Sequence, residues 1–422
     1  MPPGEFFDEK DTLASGERAE YHRDRVCAIV RHAYDNAPAV KAKMDGAGVR
    51  PEHIRTVEDL EKIPVTKKDN LAQLQKESPF FGGFLAIPSE QLDKIFLSPG
   101  PMYVPFKDSP FYRGQAPRGL HSLGFREGDR VVTTFSYSFI AGHYVDFSLR
   151  CLGATVVPTG VGNTELQVEV MHTLQVAGFM GTPSFLMNVI RKAEEMGYDF
   201  RRDFSLRAAL VGAERYPPEL RRVFEEDYGL ATGESYGISE FGMPASQCPQ
   251  NKGLHISPEL LVEIVDPSTG KQLGPGEEGE VVVTPFNDIY PLIRYATGDL
   301  SVYTDEPCAC GRTTPRLTGI LGRVGDAVKV RAVFVHPSQL EGILSRFPEV
   351  ARFQARVGRD KERDVLTFVL ETTQGADREK LSQSLRDNIK GVCSVAVDRV
   401  EFADPGAIPE DRKTLVDERP WD

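Results

Sequence analysis

The sequence predicts an α/β protein. A large N-terminal domain has parallel sheets sandwiched by helices plus a β-rich subdomain, and a small α+β C-terminal domain follows it. Three observations carry this prediction. Between residues 130 and 228, short β-branched or apolar runs alternate with helical patterns, the texture of a parallel sheet covered on both faces. Between 260 and 302, strand-like runs follow one another across turn signals. The last stretch alternates again, in the order β-α-β-β-α-β. At 422 residues the chain exceeds the size at which one hydrophobic core keeps growing, and a division into residues 1–322 and 323–422 is expected.

The first ninety residues read as helices. Val26, Ile29, Val30 and Ala33 mark one apolar face over 20–35. Thr56, followed by Glu58 and Asp59, marks a helix start that Pro64 closes, and Thr66-Lys67-Lys68-Asp69 starts another. Strands are predicted over 130–134, 154–158, 178–181 and 208–211, with helices over 142–152, 166–176, 184–196 and 217–228. Further strands fall at 260–265, 279–284 and 299–303, where a mixed sheet and a small barrel both fit. In the last domain, strands are read at 327–330, 351–357, 364–371 and 395–400, and helices at 337–346 and 377–389.

The composition, 40% hydrophobic and 27% charged, is ordinary for a globular protein. A net charge of −12, with both signs spread along the chain, argues against nucleic acid or an anionic membrane as the main partner. No apolar run reaches the roughly 18 residues of a membrane span, and the start lacks a basic, apolar leader, so a cytoplasmic protein is expected. The six cysteines do not make a disulfide framework in a chain this long. Cys27, Cys151 and Cys393 fall in apolar or helical patterns and are expected to be reduced.

Cys248, His255, Cys308 and Cys310 behave differently. They form Cys-x6-His and Cys-x-Cys-Gly pairs, and four such soft or borderline donors suit a closed tetrahedral Zn²⁺ site with no open position for chemistry. The alternative is three reduced thiols and a surface histidine. In Tyr236-Gly237-Ile238-Ser239-Glu240, an aromatic followed by glycine lets a flat ring approach the backbone, and the nearby carboxylate can hold a divalent cation. Taken alone, the same pentapeptide reads as a strand-to-turn junction with a solvated glutamate. Asp299, after Thr297-Gly298, has the chemistry to accept from both hydroxyls of a ribose, and also that of a turn residue. Arg294 and Arg323 would by default be surface or ion-paired residues.

The order of these motifs resembles that of the phenylacetate–coenzyme A ligase branch of the adenylate-forming enzymes. The resemblance runs from His32-Ala33-Tyr34-Asp35-Asn36-Ala37-Pro38 to the end of the chain. It is most specific at Gly181-Thr182-Pro183-Ser184, 236–240, 294–299, Gly322-Arg323 and 335–341. It implies an enzyme that condenses a carboxylic acid with ATP to an acyl-adenylate, after which a C-terminal lid swings and coenzyme A displaces AMP. The active site is expected in the cleft between the two domains. By the same resemblance, Gly212, Ala213, Glu214, Tyr236 and Gly237 frame the adenine, Glu240 holds Mg²⁺, and Asp299 and Arg323 bind the ribose. Lys413 steadies the carboxylate and α-phosphate, offsetting charge that builds on the phosphorus oxygens. Tyr137, Phe139 and Ile238 are candidates for the acyl-pocket wall, where aromatics suit a flat apolar acid, and core packing is the alternative. A structural Zn²⁺ and a homodimer are further expectations of the resemblance.

The chain departs from that pattern where the family carries a Ser/Thr/Gly-rich loop with a lysine for the β- and γ-phosphates. Here the segment reads Leu97-Ser98-Pro99-Gly100-Pro101-Met102-Tyr103-Val104-Pro105, and three prolines remove three N–H donors and stiffen the backbone. Lys107 is the nearest lysine. Gly325 replaces an acid after Arg323, and Ala332 replaces a glycine at the expected approach of the pantetheine arm. Three readings stand: an acid–coenzyme A ligase with phosphate contacts supplied elsewhere, an acyltransferase using a ready-made acyl-adenylate, or a non-catalytic nucleotide-binding relative.

Overall fold

The computed structural model describes the chain apart from residues 1–5, 79, 99–101, 215, 327, 332, 361–362, 374, 394, 410–412 and 420–422. Pro99, Gly100 and Pro101 of the altered segment, and Ala332, lie outside the described residues. The chain forms two units, Met1–Gly298 with Val302–Gly319, and Asp299–Ser301 with Ile320–Asp422. No helix among the described residues is long and apolar enough to cross a membrane.

In the first unit, helix Ser15–Asn36 buries Val26, Ile29, Val30 and Ala33, the face that the spacing predicts. The segment read as a helix after Thr56 is instead a 3₁₀ turn, Glu58–Lys62. The Asp59 carboxylate accepts the N–H groups of Arg55 and Thr56 at 2.8 and 3.0 Å, and Pro64 leaves no room for a further turn. Helix Lys68–Glu77 follows a two-residue strand, Thr66–Lys67, that pairs with Tyr295 and Ala296.

Five parallel strands lie side by side in the order Thr155–Pro158, Arg130–Thr133, Gly178–Gly181, Ala208–Val211 and Ala231–Ile238. Helices Ile140–Cys151, Thr164–Thr173 and Pro183–Glu195 connect them. The β-rich segment is not a separate barrel but continues the same sheet. Strand Ala231–Ile238 is long enough to pair parallel to Ala208–Val211 through residues 231–234, and antiparallel to Gly242–Gln247 through Ser235 and Tyr236. Leu254–Ile256, Arg316–Leu317, Tyr295–Thr304, Glu278–Pro285 and Leu260–Val265 extend the antiparallel half. Strands Gly242–Gln247 and Leu254–Ile256 escape the sequence reading, because Pro244, Gly253 and short polar stretches obscure their alternation. Residues 97–98 and 102–105 of the proline-rich segment belong to a hairpin, also unforeseen, in which Lys94–Ser98 pairs with Met102–Phe106.

In the second unit, the sheet order is Arg399–Ala403, Arg363–Thr372, Val350–Asp360 and Leu415–Asp417. Helix Arg378–Cys393 packs Leu381, Leu385 and Ile389, at i, i+4 and i+8, with Leu366, Phe368 and Leu370. The predicted strand over 395–400 lies later, at Arg399–Ala403, and Val395 and Val397 enter the core ahead of it.

Arg294 is almost wholly buried rather than superficial. Its guanidinium meets Glu263 at 3.0 Å and donates to the carbonyls of Ile63 and Gly270 at 2.9 and 2.8 Å, tying three chain segments together. Burial pushes the Glu263 carboxyl up even with Arg294 beside it. Replacing one partner strands the other charge. Arg294→Ala is therefore expected to lower unfolding stability by about 3–5 kcal/mol in chemical denaturation, and a loss below about 1 kcal/mol contradicts this role.

Candidate active site

The C-terminal ends of the parallel strands open onto a cavity of about 170 Å³. Phe135, Ile140, Ala141, Tyr144 and Val145 line it from one side, and Met180, Leu210, Ile238 and Met243 from the other. Gly212, Ala213, Ser235, Gly237 and Ser239 supply polar backbone and hydroxyl groups at its wall. A mostly apolar pocket with a few convergent polar groups is the usual form of a small-molecule site.

Local geometry explains how these residues reach the cavity. Ala213 holds φ +66°, a conformation rare for a residue with a β-carbon and one that concentrates at binding sites. Glu214 reaches back to accept the Ser184 N–H at 2.6 Å, where Thr182 caps helix Pro183–Glu195. Two separately noted motifs, 181–184 and 212–214, are thus brought together. A β-carbon at Gly237 would meet only the Gly242 carbonyl, at 4.0 Å, so the backbone there stands open. Gly242, at φ +95°, makes the reversal after Glu240 that returns the chain as the next strand.

Other predicted residues are placed differently. Tyr236 is buried, its hydroxyl 3.2 Å from Thr297 Oγ1, and it braces the sheet rather than lining the cavity. Tyr137 donates to Asp146 at 3.2 Å and Phe139 precedes helix Ile140–Cys151, and both are largely exposed and off the cavity wall. Their neighbours Phe135, Ile140, Ala141 and Tyr144 line it instead. Tyr137 and Phe139 fall in the turn that precedes the helix, so they point off the wall, and the helix that begins at Ile140 supplies it; sequence spacing signals this only once that helix start is known. The Tyr144 hydroxyl lies 3.3 Å from Tyr112 and 3.3 Å from the Ser239 carbonyl, and burial pushes its phenol well up, so it stays protonated.

Glu240 is 1% exposed. Tyr295 donates to it at 2.8 Å and the Lys68 ammonium lies 3.4 Å away. Burial, followed by the Glu240 charge, raises the Tyr295 phenol far above its usual range, which keeps that donor protonated. One carboxylate thus already holds one cation, and a divalent ion would compete with Lys68 for it.

In the second unit, Asp299 and Arg323 face each other across paired strands, with Arg323 Nε 3.5 Å from the carboxylate. Lys413 is exposed, just before strand Leu415–Asp417.

Cys248, His255, Cys308 and Cys310 converge, with one ligand atom from each within 4.8 Å of all the others. Cys248 and Cys308 sulfurs stand 3.7 Å apart, and Cys310 Sγ is 3.4 Å from His255 Nε2. His255 Nδ1 is 2.9 Å from Thr314 Oγ1, which fixes the ring so that Nε2 faces the thiols. The contact between Cys248 and Cys310 pushes the Cys310 thiol down, with His255 adding to this, and pushes the Cys248 thiol up, so the pair shares one proton that a bound metal would displace.

The family model of the AMP-binding enzymes matches residues 113–285, and that of the AMP-binding enzyme C-terminal domain matches residues 332–419. The fold is also that of a 2-hydroxyisobutyryl-CoA ligase solved with 2-HIB-AMP and CoA, at TM-score 0.89 and 24% identity over 99% of this chain and 96% of that one. These define an AMP-binding enzyme with its C-terminal domain. The phenylacetate–coenzyme A ligase of Thermus thermophilus is 32% identical over 90% of this chain and 87% of its own length. That of Escherichia coli is 31% identical over 96% and 94%. The chain belongs to the phenylacetate–coenzyme A ligase branch of the AMP-binding enzymes.

Proposed function

We propose that this protein activates an aromatic carboxylic acid with ATP and transfers the acyl group from the adenylate to coenzyme A. The observation that carries the reading is the single cavity in which apolar walls from Phe135, Ile140, Tyr144 and Met243 meet the backbone of Gly212, Ala213 and Gly237. The apolar walls suit a flat aryl ring, and the adjoining backbone of Gly212, Ala213 and Gly237 suits the face of a purine. Of the three readings left open by the altered segment at 98–105, family membership favours the ligase.

Each residue then has a part. Gly212, Ala213 and Glu214 frame the adenine, with Gly237 giving the ring close access to the backbone. Tyr236 supports that strand from the core side. Asp299 accepts from the ribose hydroxyls, with Arg323 orienting it. Lys413 places its ammonium where carboxylate and α-phosphate react, and lowers the barrier by offsetting the charge that builds on the phosphate oxygens. Glu240 offers the carboxylate for Mg²⁺, which would neutralise phosphate charge. Cations outside the proline-rich segment must hold the outer phosphates, and Lys68, beside Glu240, is one such group.

The four-donor cluster fits a structural Zn²⁺. Two thiolates each about 2.3 Å from a tetrahedral centre stand about 3.8 Å apart, close to the 3.7 Å between Cys248 and Cys308. A full set of protein donors leaves no position for substrate, so the site fastens strands Gly242–Gln247 and Leu254–Ile256 to the connection before Arg316.

Adenylation is tested by ATP–pyrophosphate exchange with a panel of aryl acids. Acid-dependent exchange is expected, and AMP binding without exchange would instead favour the use of ready-made adenylate. Lys413→Ala is expected to slow exchange by about 100-fold or more while leaving thioester formation from supplied acyl-adenylate within about threefold, and equal losses would contradict its role. Cys308→Ser should lower both zinc content by elemental analysis and thermal stability. If neither falls, no staple exists.

A further inference from the structure

The side chain of Lys413 is exposed, yet the backbone carrying it is fastened at two points in the second unit. At the first, Gln354, fully buried in strand Val350–Asp360, donates from Nε2 to the Lys413 carbonyl at 3.0 Å. The Ala355 N–H donates to the next carbonyl, that of Thr414, at 2.8 Å, and Leu415 enters the core. The second point lies upstream. Arg352 and Glu371 are directly opposed across strands Val350–Asp360 and Arg363–Thr372. The chain leaves strand Arg399–Ala403 beside Glu371, turns through Gly406 at φ +86°, and brings the Ile408 N–H to the Glu371 carboxylate at 2.6 Å. Arg352 donates to the carbonyl of the same Ile408 at 3.2 Å. The backbone N–H groups of Ile408 and Gly406 hold the Glu371 carboxyl below its ordinary range, so it is charged at neutral pH.

We propose that Glu371 and Gln354 are positioning residues for Lys413: one clips the turn before it, the other the lysine's own carbonyl. The proposal rests on the reading of Lys413 as the adenylation lysine. A long flexible side chain delivers its ammonium accurately only if its Cα is fixed, because a shift of about 1 Å at a catalytic group costs up to about 100-fold in rate. Buried side chains in a sheet supply that fixed frame, and they touch neither acid nor nucleotide in this account. Gln354 is locked in turn, since its Oε1 accepts from Arg356 Nε at 2.8 Å.

The test measures the two half-reactions separately in the full-length enzyme, for Glu371→Ala, Gln354→Leu, Lys413→Ala and the double variant Glu371→Ala/Lys413→Ala. Glu371→Ala and Gln354→Leu are expected to lower kcat for ATP–pyrophosphate exchange on the order of 10- to 100-fold, with KM for ATP and thioester formation from supplied acyl-adenylate within about twofold. In the Lys413→Ala background, Glu371→Ala should cost nothing further, because residues acting through one group are not additive. Glu371→Gln keeps an acceptor for the Ile408 N–H but loses its charge, and should retain about a third of the exchange activity. It also stands in if the alanine variant fails to fold, with a predicted loss of about threefold confined to exchange. Losses shared by both half-reactions, or additivity in the double variant, would overturn the proposal as a mere stability effect. If Lys413→Ala itself fails to separate the half-reactions, the lysine assignment falls. If Lys413→Ala separates them and Glu371→Ala and Gln354→Leu do not, only the positioning role falls.

Discussion

The site depends on one strand making two kinds of pairing. Residues 231–234 continue a parallel sheet, and from Ser235 the same strand runs antiparallel to its successor. Parallel sheets leave their C-terminal edge open for ligands, whereas an antiparallel partner closes that edge by returning immediately. The changeover falls at Ser235–Tyr236, so Gly237 and Ile238 emerge at the cavity and Glu240 is drawn beneath it. Had the strand been parallel throughout, its end would have led into a helix and no carboxylate would be buried beside Tyr295.

That burial sets the electrostatic problem the rest of the unit solves. A carboxylate that is 1% exposed needs donors and a countercharge. Tyr295 and Lys68 provide them from segments far apart in sequence, and Thr66–Lys67 pairing with Tyr295 and Ala296 keeps both suppliers in register. Arg294, one residue before that pairing, anchors the same junction through Glu263, Ile63 and Gly270. Its place next to Tyr295 gives the Arg294–Asp299 motif a buried, structural half.

Two fastening devices differ in kind. The cysteine–histidine cluster gathers four soft or borderline donors within 4.8 Å, an arrangement that would fasten its segments only with a metal at its centre. The grip on the backbone of Lys413 uses neutral and charged hydrogen bonds from buried strand residues, which hold the main chain and leave the ammonium free.

The sequence alone determined the fold class and the parallel half of the large sheet, because hydrophobic period, turn residues and motif order are local properties. The apolar face of Ser15–Asn36, the run of strands from 130 to 211, the four metal-type donors and the family resemblance were all legible there. It left undetermined which residues face which way. Tyr137 and Phe139 share the composition of a pocket wall but sit in the turn before helix Ile140–Cys151, off that wall, while Tyr144 and Met243 reach it. Tyr236 carries the motif aromatic, yet its ring is turned inward toward Thr297. Nor do Lys68, Gln354 or Glu371 carry any local mark of their contacts with Glu240, Lys413 and Ile408. Those contacts span 172, 59 and 37 residues, and only the packing of whole strands against one another brings such partners within hydrogen-bond reach.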